Sequence, residues 1–176
     1  MLTMNRAFLL SLLAAILILP TNICIFWEHL GAGLQCSFFR YQQTFLGASL
    51  ITLVDDLGYV ASGIIGGRSA VSILLWALGT GLLLAAAGYA VYRRHDGIAG
   101  IKRPLALLTA GGAAAYLLSC VAQYGPGLHG PAGFSIPVGV PLILGVAGYI
   151  LKMEEDDELE YEEEEEGYGE EEGGEE

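Results

Sequence analysis

Charged side chains are scarce before residue 154. Residues 154–176 hold 16 of the 20 acids and no base, so the formal charge of −12 misdescribes the rest of the chain. Residues 1–153 carry four acids (Glu28, Asp55, Asp56 and Asp96) against eight bases, a net of +4. Four long runs, residues 7–27, 70–92, 104–124 and 134–151, have no charged residue in their interiors. Cysteine is also sparse. The three cysteines form no CxxC pair, which excludes a thiol-exchange enzyme of that type. The three histidines (His29, His95 and His129) are scattered, and no His/Cys cluster has zinc-ligand spacing. GxSxG, HExxH and P-loop motifs are missing, which removes the common hydrolase and phosphate-binding signatures. These gaps point to a protein that is not an enzyme and has no cofactor or bound metal. No basic patch suggests nucleic-acid binding.

What remains is apolar. The chain is 53% hydrophobic and has 25 glycines. A bilayer core is about 30 Å thick and takes roughly 20 helical residues to cross. Backbone groups in lipid must bond internally, so each uncharged run reads as a helix. The expected fold class is an all-α membrane protein. A four-helix transmembrane bundle over residues 1–152 carries a long outer loop, residues 28–69, with a small β or mixed subdomain. A disordered acidic tail, residues 153–176, follows. Small residues support helix packing. Ala77, Gly81 and Ala85 share one face of the second run, and residues 110–115 are all Ala or Gly.

Arg6, Arg93, Arg94, Lys102, Arg103 and Lys152 fall on one side of this arrangement, which makes that side cytoplasmic. Both termini are then inside a cell membrane. The first run also fits a signal peptide, although residues 20–24 (Pro-Thr-Asn-Ile-Cys) offer no small-x-small cleavage site.

Few polar groups interrupt the runs, which argues against an ion-coupled carrier. Residues 44–66 are apolar apart from Asp55, Asp56 and hydroxyl side chains. Asp55 and Asp56 read either as a cation or proton site or as a solvated helix cap. Cys24 and Cys36 are close enough in sequence for a disulfide, with free thiols as the alternative. Phe38, Phe39 and Tyr41 form either an outer contact patch or a packed loop core. The tail reads as a lure for a basic cytoplasmic partner or as a solubilising bristle.

The layout resembles the claudin-like tetraspan group. Gly67-Arg68-Ser69-Ala70 before Ile73-Leu74-Leu75 looks like that group's approach to its second helix. Lys102-Arg103 before Ala110-Gly111-Gly112 is similar to its third. Gly33-Leu34-Gln35-Cys36 stands where the group has Gly-Leu-Trp and then two loop cysteines. Here Gln35 replaces the tryptophan, and the other cysteine, Cys24, lies upstream. The resemblance implies a left-handed four-helix bundle with an outer β-subdomain, lateral self-association, and roles in adhesion, barriers or channel accessory function. The sequence thus leads to a non-enzymatic accessory, adhesion or scaffold subunit. Its partners would be membrane lipids and other membrane proteins, or further copies of itself held laterally. A small channel or transporter component using Asp55 and Asp56 is the alternative.

Overall fold

The structure, a computed structural model, describes residues 6–27, 31–93, 98–130 and 133–152. The acidic tail and its expected disorder lie outside the described residues. The elements run α1 (Arg6–Ile18), β1 (Asn22–Phe26), β2 (Gly31–Gln35), β3 (Phe39–Thr44), β4 (Gly47–Thr52), α2 (Leu53–Ala61), α3 (Gly67–Tyr92), α4 (Ile98–Tyr124), β5 (His129–Gly130) and β6 (Gly133–Ile136). A last helix, α5, covers Gly139–Lys152.

The all-α, four-span expectation is overturned. The six strands among the described residues form one antiparallel sheet in the order β4-β3-β2-β1-β6-β5. Two described helices, Gly67–Tyr92 and Gly100–Tyr124, are long and apolar enough to cross a membrane. The first and fourth runs divide between helix and strand. Pro20 lacks an amide hydrogen and disfavours helical backbone at Leu19, so α1 stops at Ile18. The following Asn-Ile-Cys-Ile-Phe is rich in residues that suit a pleated surface, and it pairs as β1. The fourth run breaks in the same way. Residues 133–136 become β6, and Pro137 separates that strand from α5 rather than kinking a helix. At 1.5 Å per residue, α1 and α5 are each only about 20 Å long, whereas α3 and α4 approach 40 Å.

The core lies among α1, α3, α4 and α5. Leu9, Leu13, Ile16 and Leu17 recur at helical spacing on α1. They join Trp76 and Leu83 of α3, Leu105 and Tyr116 of α4, and Ile143 and Ile150 of α5 in one apolar cluster. The opposite side of α3 carries exposed Leu74, Leu78, Leu84 and Val91.

α3 and α4 form a tight hairpin. Ser72 Oγ donates to the Ser119 carbonyl at 2.9 Å, and Ser119 Oγ returns the bond to the Ser72 carbonyl at 2.8 Å. Arg68 Nε donates to the Ala122 carbonyl at 3.1 Å, where the end of α4 leaves carbonyls unbonded. Two glycines set the spacing. A Cβ on Gly79 would lie 2.7 Å from the Tyr116 ring, and one on Gly112 would lie 2.8 Å from Leu83. Gly81, two residues along α3, faces open space.

Gly79→Val should therefore lower stability by about 1–3 kcal/mol, the usual cost of overpacking a close contact. Gly81→Val should leave it nearly unchanged. Thermal unfolding of both full-length variants in one detergent makes the comparison; equal losses would mean that Tyr116 moves aside freely.

Candidate functional site: a buried ion pair beneath the sheet

The β4–α2 junction sorts the two neighbouring aspartates. Thr52 caps α2 with a reciprocal box: its Oγ1 accepts from the Asp55 backbone amide at 3.2 Å, and Asp55 Oδ2 accepts from the Thr52 amide at 3.1 Å. The Thr52 hydroxyl also donates to Asp55 Oδ2 at 2.6 Å. These bonds turn Asp55 toward solvent and hold its carboxyl below the usual carboxylate range. The next residue is rotated about 100° around the helix axis. It turns inward, and Asp56 is fully buried, at 0% exposure.

Asp56 meets Arg40 of β3. Arg40 Nη2 donates to Asp56 Oδ1 at 2.8 Å, a single contact rather than the two-pronged geometry open to an arginine and a carboxylate. Arg40 Nε and Asp56 Oδ2 are both buried without a hydrogen-bond partner. Burial pushes the Asp56 carboxyl above the usual range. The Arg40 charge and hydrogen bond oppose that rise, and the Asp55 charge adds to it.

The pair lines a cavity of about 290 Å³ between the sheet and α2, α3 and α4. Strand register explains the composition of its wall. Residues directly opposite each other across a ladder share a face. Cys24 lies opposite Gly33, Gln42 opposite Gly33, and Arg40 opposite Gln35, so Cys24, Gln35, Arg40 and Gln42 face inward together. The helical side supplies Ser69, Ile73 and Trp76 of α3 and Gln123 of α4.

The outward face is different. Ile136, Ile23, Leu34, Tyr41 and Leu50 lie side by side in register across β6, β1, β2, β3 and β4. The row is apolar and uncharged. Leu50 is 63% exposed, Ile136 41% and Tyr41 37%. Phe39 and Tyr41 belong to this face, whereas Phe38 precedes β3 and is itself exposed. The row extends this surface well beyond Tyr41.

The expected Cys24–Cys36 disulfide is absent. Cys24, Cys36 and Cys120 are free and buried. Cys24 sits opposite Gly33, and Cys36 lies three residues farther along. At about 3.3 Å per residue that is about 10 Å, beyond the reach of a disulfide. Burial pushes both thiols up; for Cys24, bonds to Tyr124 and Asn22 and the Arg40 charge act against the rise.

Asp55 and Asp56, read in the sequence either as one ion site or as a solvated helix cap, are separated in the fold, and the cap reading holds for Asp55. Asp55 caps a helix and Asp56 pairs with a cation. Sequence reasoning missed Arg40 and the apolar row. The signal for both was the period-two alternation of Phe39-Arg40-Tyr41-Gln42-Gln43-Thr44. Among the described residues, no group of three or more His, Cys, Asp or Glu is placed to hold a metal ion. No family model, curated protein or solved structure matches the chain.

The two carboxyls give opposite pH responses. The raised Asp56 value means that the folded state holds this proton more tightly than the unfolded chain. Its contribution is complete below the ordinary value of 3.8 and is lost as pH rises through the higher folded value. The lowered Asp55 value works in reverse: its contribution is present above 3.8 and lost as pH falls through the folded value. Asp56→Asn should flatten the stability gain on mild acidification, and Asp55→Asn should flatten the loss at lower pH. Denaturation midpoints taken across the acidic range read both slopes; matching slopes in the two variants would contradict the division of roles.

Non-reducing peptide mapping should find Cys24 and Cys36 unlinked, with alkylation of both slow until the protein is denatured. A linked pair would require a shift in the β1–β2 register.

Proposed function

We propose that the protein is a non-enzymatic, membrane-inserted contact subunit that engages another membrane protein through the outer face of its sheet. Support for insertion comes from α3 and α4, which are long and apolar enough to cross a bilayer and whose exposed sides are rich in leucine and valine. The observation that carries the contact role is the in-register row Ile136–Ile23–Leu34–Tyr41–Leu50. An uncharged apolar row running across five strands is an unusual surface to leave in water, and a partner that covers it gains about 25 cal/mol per Å² of apolar area. The claudin-like resemblance enters this reading on sequence grounds, through the residue 33–36 run and the approach to α3. In the same reading the acidic tail recruits a basic partner on the cytoplasmic side.

A channel or transporter role for the aspartates has less support. The Arg40 guanidinium stands 2.8 Å from Asp56 and repels an entering cation, and Asp55 is committed to its helix cap.

A photoreactive amino acid at position 34 or 50 should form adducts with protein in native membranes, whereas one at position 61, on the exposed end of α2, should not. The double variant Tyr41→Glu/Leu50→Glu changes two exposed positions, so it should fold normally and lose those adducts. Adducts of equal strength from all three sites, or adducts that survive the double variant, would sink the contact role.

A further inference from the structure

We infer that the cavity under the sheet is a binding site for a neutral, hydroxyl-rich small molecule of monosaccharide size, one of whose hydroxyls bridges Arg40 Nε and Asp56 Oδ2. This goes beyond the contact role and stands independently of the sheet's outer face. Three observations carry it.

The first is the unfinished ion pair. Asp56 is fully buried and lines the cavity, and its Oδ2 has no partner; Arg40 Nε is likewise buried and unpaired. Such groups are costly to leave unmade and call for a missing partner. The required partner is specific. Nε–H needs an acceptor and Oδ2 needs a donor, and the two atoms belong to a single arginine–carboxylate pair joined at its other end. A hydroxyl oxygen is both acceptor and donor, so one hydroxyl completes both bonds.

The second is charge. Arg40 and Asp56 cancel, and neither Lys nor a second Arg or acid lines the cavity. A cation entering here meets the guanidinium and an anion meets the carboxylate, so a neutral ligand is favoured over either.

The third is the size and make-up of the wall. A water molecule occupies about 30 Å³ in the liquid. The volume of about 290 Å³ is far larger than one bridging water needs. Gln35, Gln42 and Gln123 offer amides, each with donors and an acceptor, while Phe26, Ile73 and Trp76 offer apolar surface. Amphoteric amides with an aromatic wall suit a sugar ring, which presents hydroxyls at its rim and C–H groups on its faces. The same chemistry has two sources: a free sugar, or the headgroup of a glycolipid in the outer leaflet.

The full-length protein is purified in a sugar-free amine-oxide detergent and titrated with D-glucose, D-galactose and D-mannose, with saturation-transfer NMR as the readout. Glucosamine and glucuronate serve as charged counterparts. A parallel arm uses nanodiscs with and without a monoglucosyl diacylglycerol, read by thermal shift. The expected result is saturable binding of at least one neutral probe, at least tenfold weaker binding of its charged counterparts, and at least a tenfold loss in Asp56→Asn. Gln42→Ala alters the wall and leaves the ion pair in place, so it carries the test if Asp56→Asn does not fold; it too should weaken binding. Saturation by free sugar assigns the soluble source, and a response in the glycolipid nanodiscs alone assigns the headgroup. No binding in either arm would mean that the cavity holds water only. That result overturns the inference, as does binding that both variants leave unchanged or charged sugars that bind as tightly as neutral ones.

Discussion

The turn between β2 and β3 is held between α3 and α4 by a small set of buried hydrogen bonds, and the position of the whole sheet depends on them. Trp76 Nε1 donates to the Cys36 carbonyl at 3.0 Å, and Thr80 Oγ1 donates to the Ser37 carbonyl at 2.8 Å. Tyr116 OH donates to Ser37 Oγ at 3.0 Å and lies 3.1 Å from Thr80 Oγ1. Each bond contributes only about 0.5–1.5 kcal/mol net, but leaving any one of these buried groups unpaired costs more than the bond contributes. The turn is consequently locked to the helix hairpin. Gly79 and Gly112 bring α3 and α4 close enough for Tyr116 to reach both Ser37 and Thr80.

The cavity follows from that anchor. β2 and β3 leave the anchored turn side by side, with Gln35 and Arg40 on the inner face. Behind them, α2 brings Asp56 to Arg40 through the Thr52 cap, and the Leu53 amide bonds to the Phe38 carbonyl at 2.8 Å beside the same turn. The Arg40–Asp56 pair is thus placed by backbone geometry at both ends. Its incomplete hydrogen bonding is a property of where the elements are fixed, not of a side chain that has failed to find its partner.

Much of this was legible in the sequence, but at the wrong scale. The apolar runs of α3 and α4 were evident from length and absence of charge, and Gly112 lay in the small-residue run 110–115 that signalled close helix packing. The Ala77/Gly81/Ala85 face chosen on α3 was the wrong one: Gly81 faces open space, and the contact is made at Gly79. The division of the first and fourth runs was not evident. Hydropathy alone cannot separate thirteen residues of helix plus five of strand from one long helix. Pro20 and Pro137 marked both breaks, yet in a continuous apolar run they also read as kinks. The Arg40–Asp56 pairing joins residues on separate elements, and only the β3–β4 register and the α2 cap bring them together. The apolar row joins strands as far apart in sequence as β1 and β6, and no local window contains it.

The β1–β6 ladder also imposes an order on assembly. Ile23 pairs with Ile136 and Phe26 with Gly133, contacts that close loops of more than a hundred residues. Long-range pairing of this kind is slow, because chain entropy must be lost before any bond repays it. During synthesis β1 emerges just before β2 and can pair with it at once. Its other edge stays open until α3, α4 and then residues 133–136 have been made. The α3–α4 hairpin, a local contact between consecutive helices, can form in that interval. The strand that fills the second edge of β1 therefore arrives more than a hundred residues after β1 itself, and until it does, the nascent protein carries an exposed β edge beside a nearly finished pair of helices.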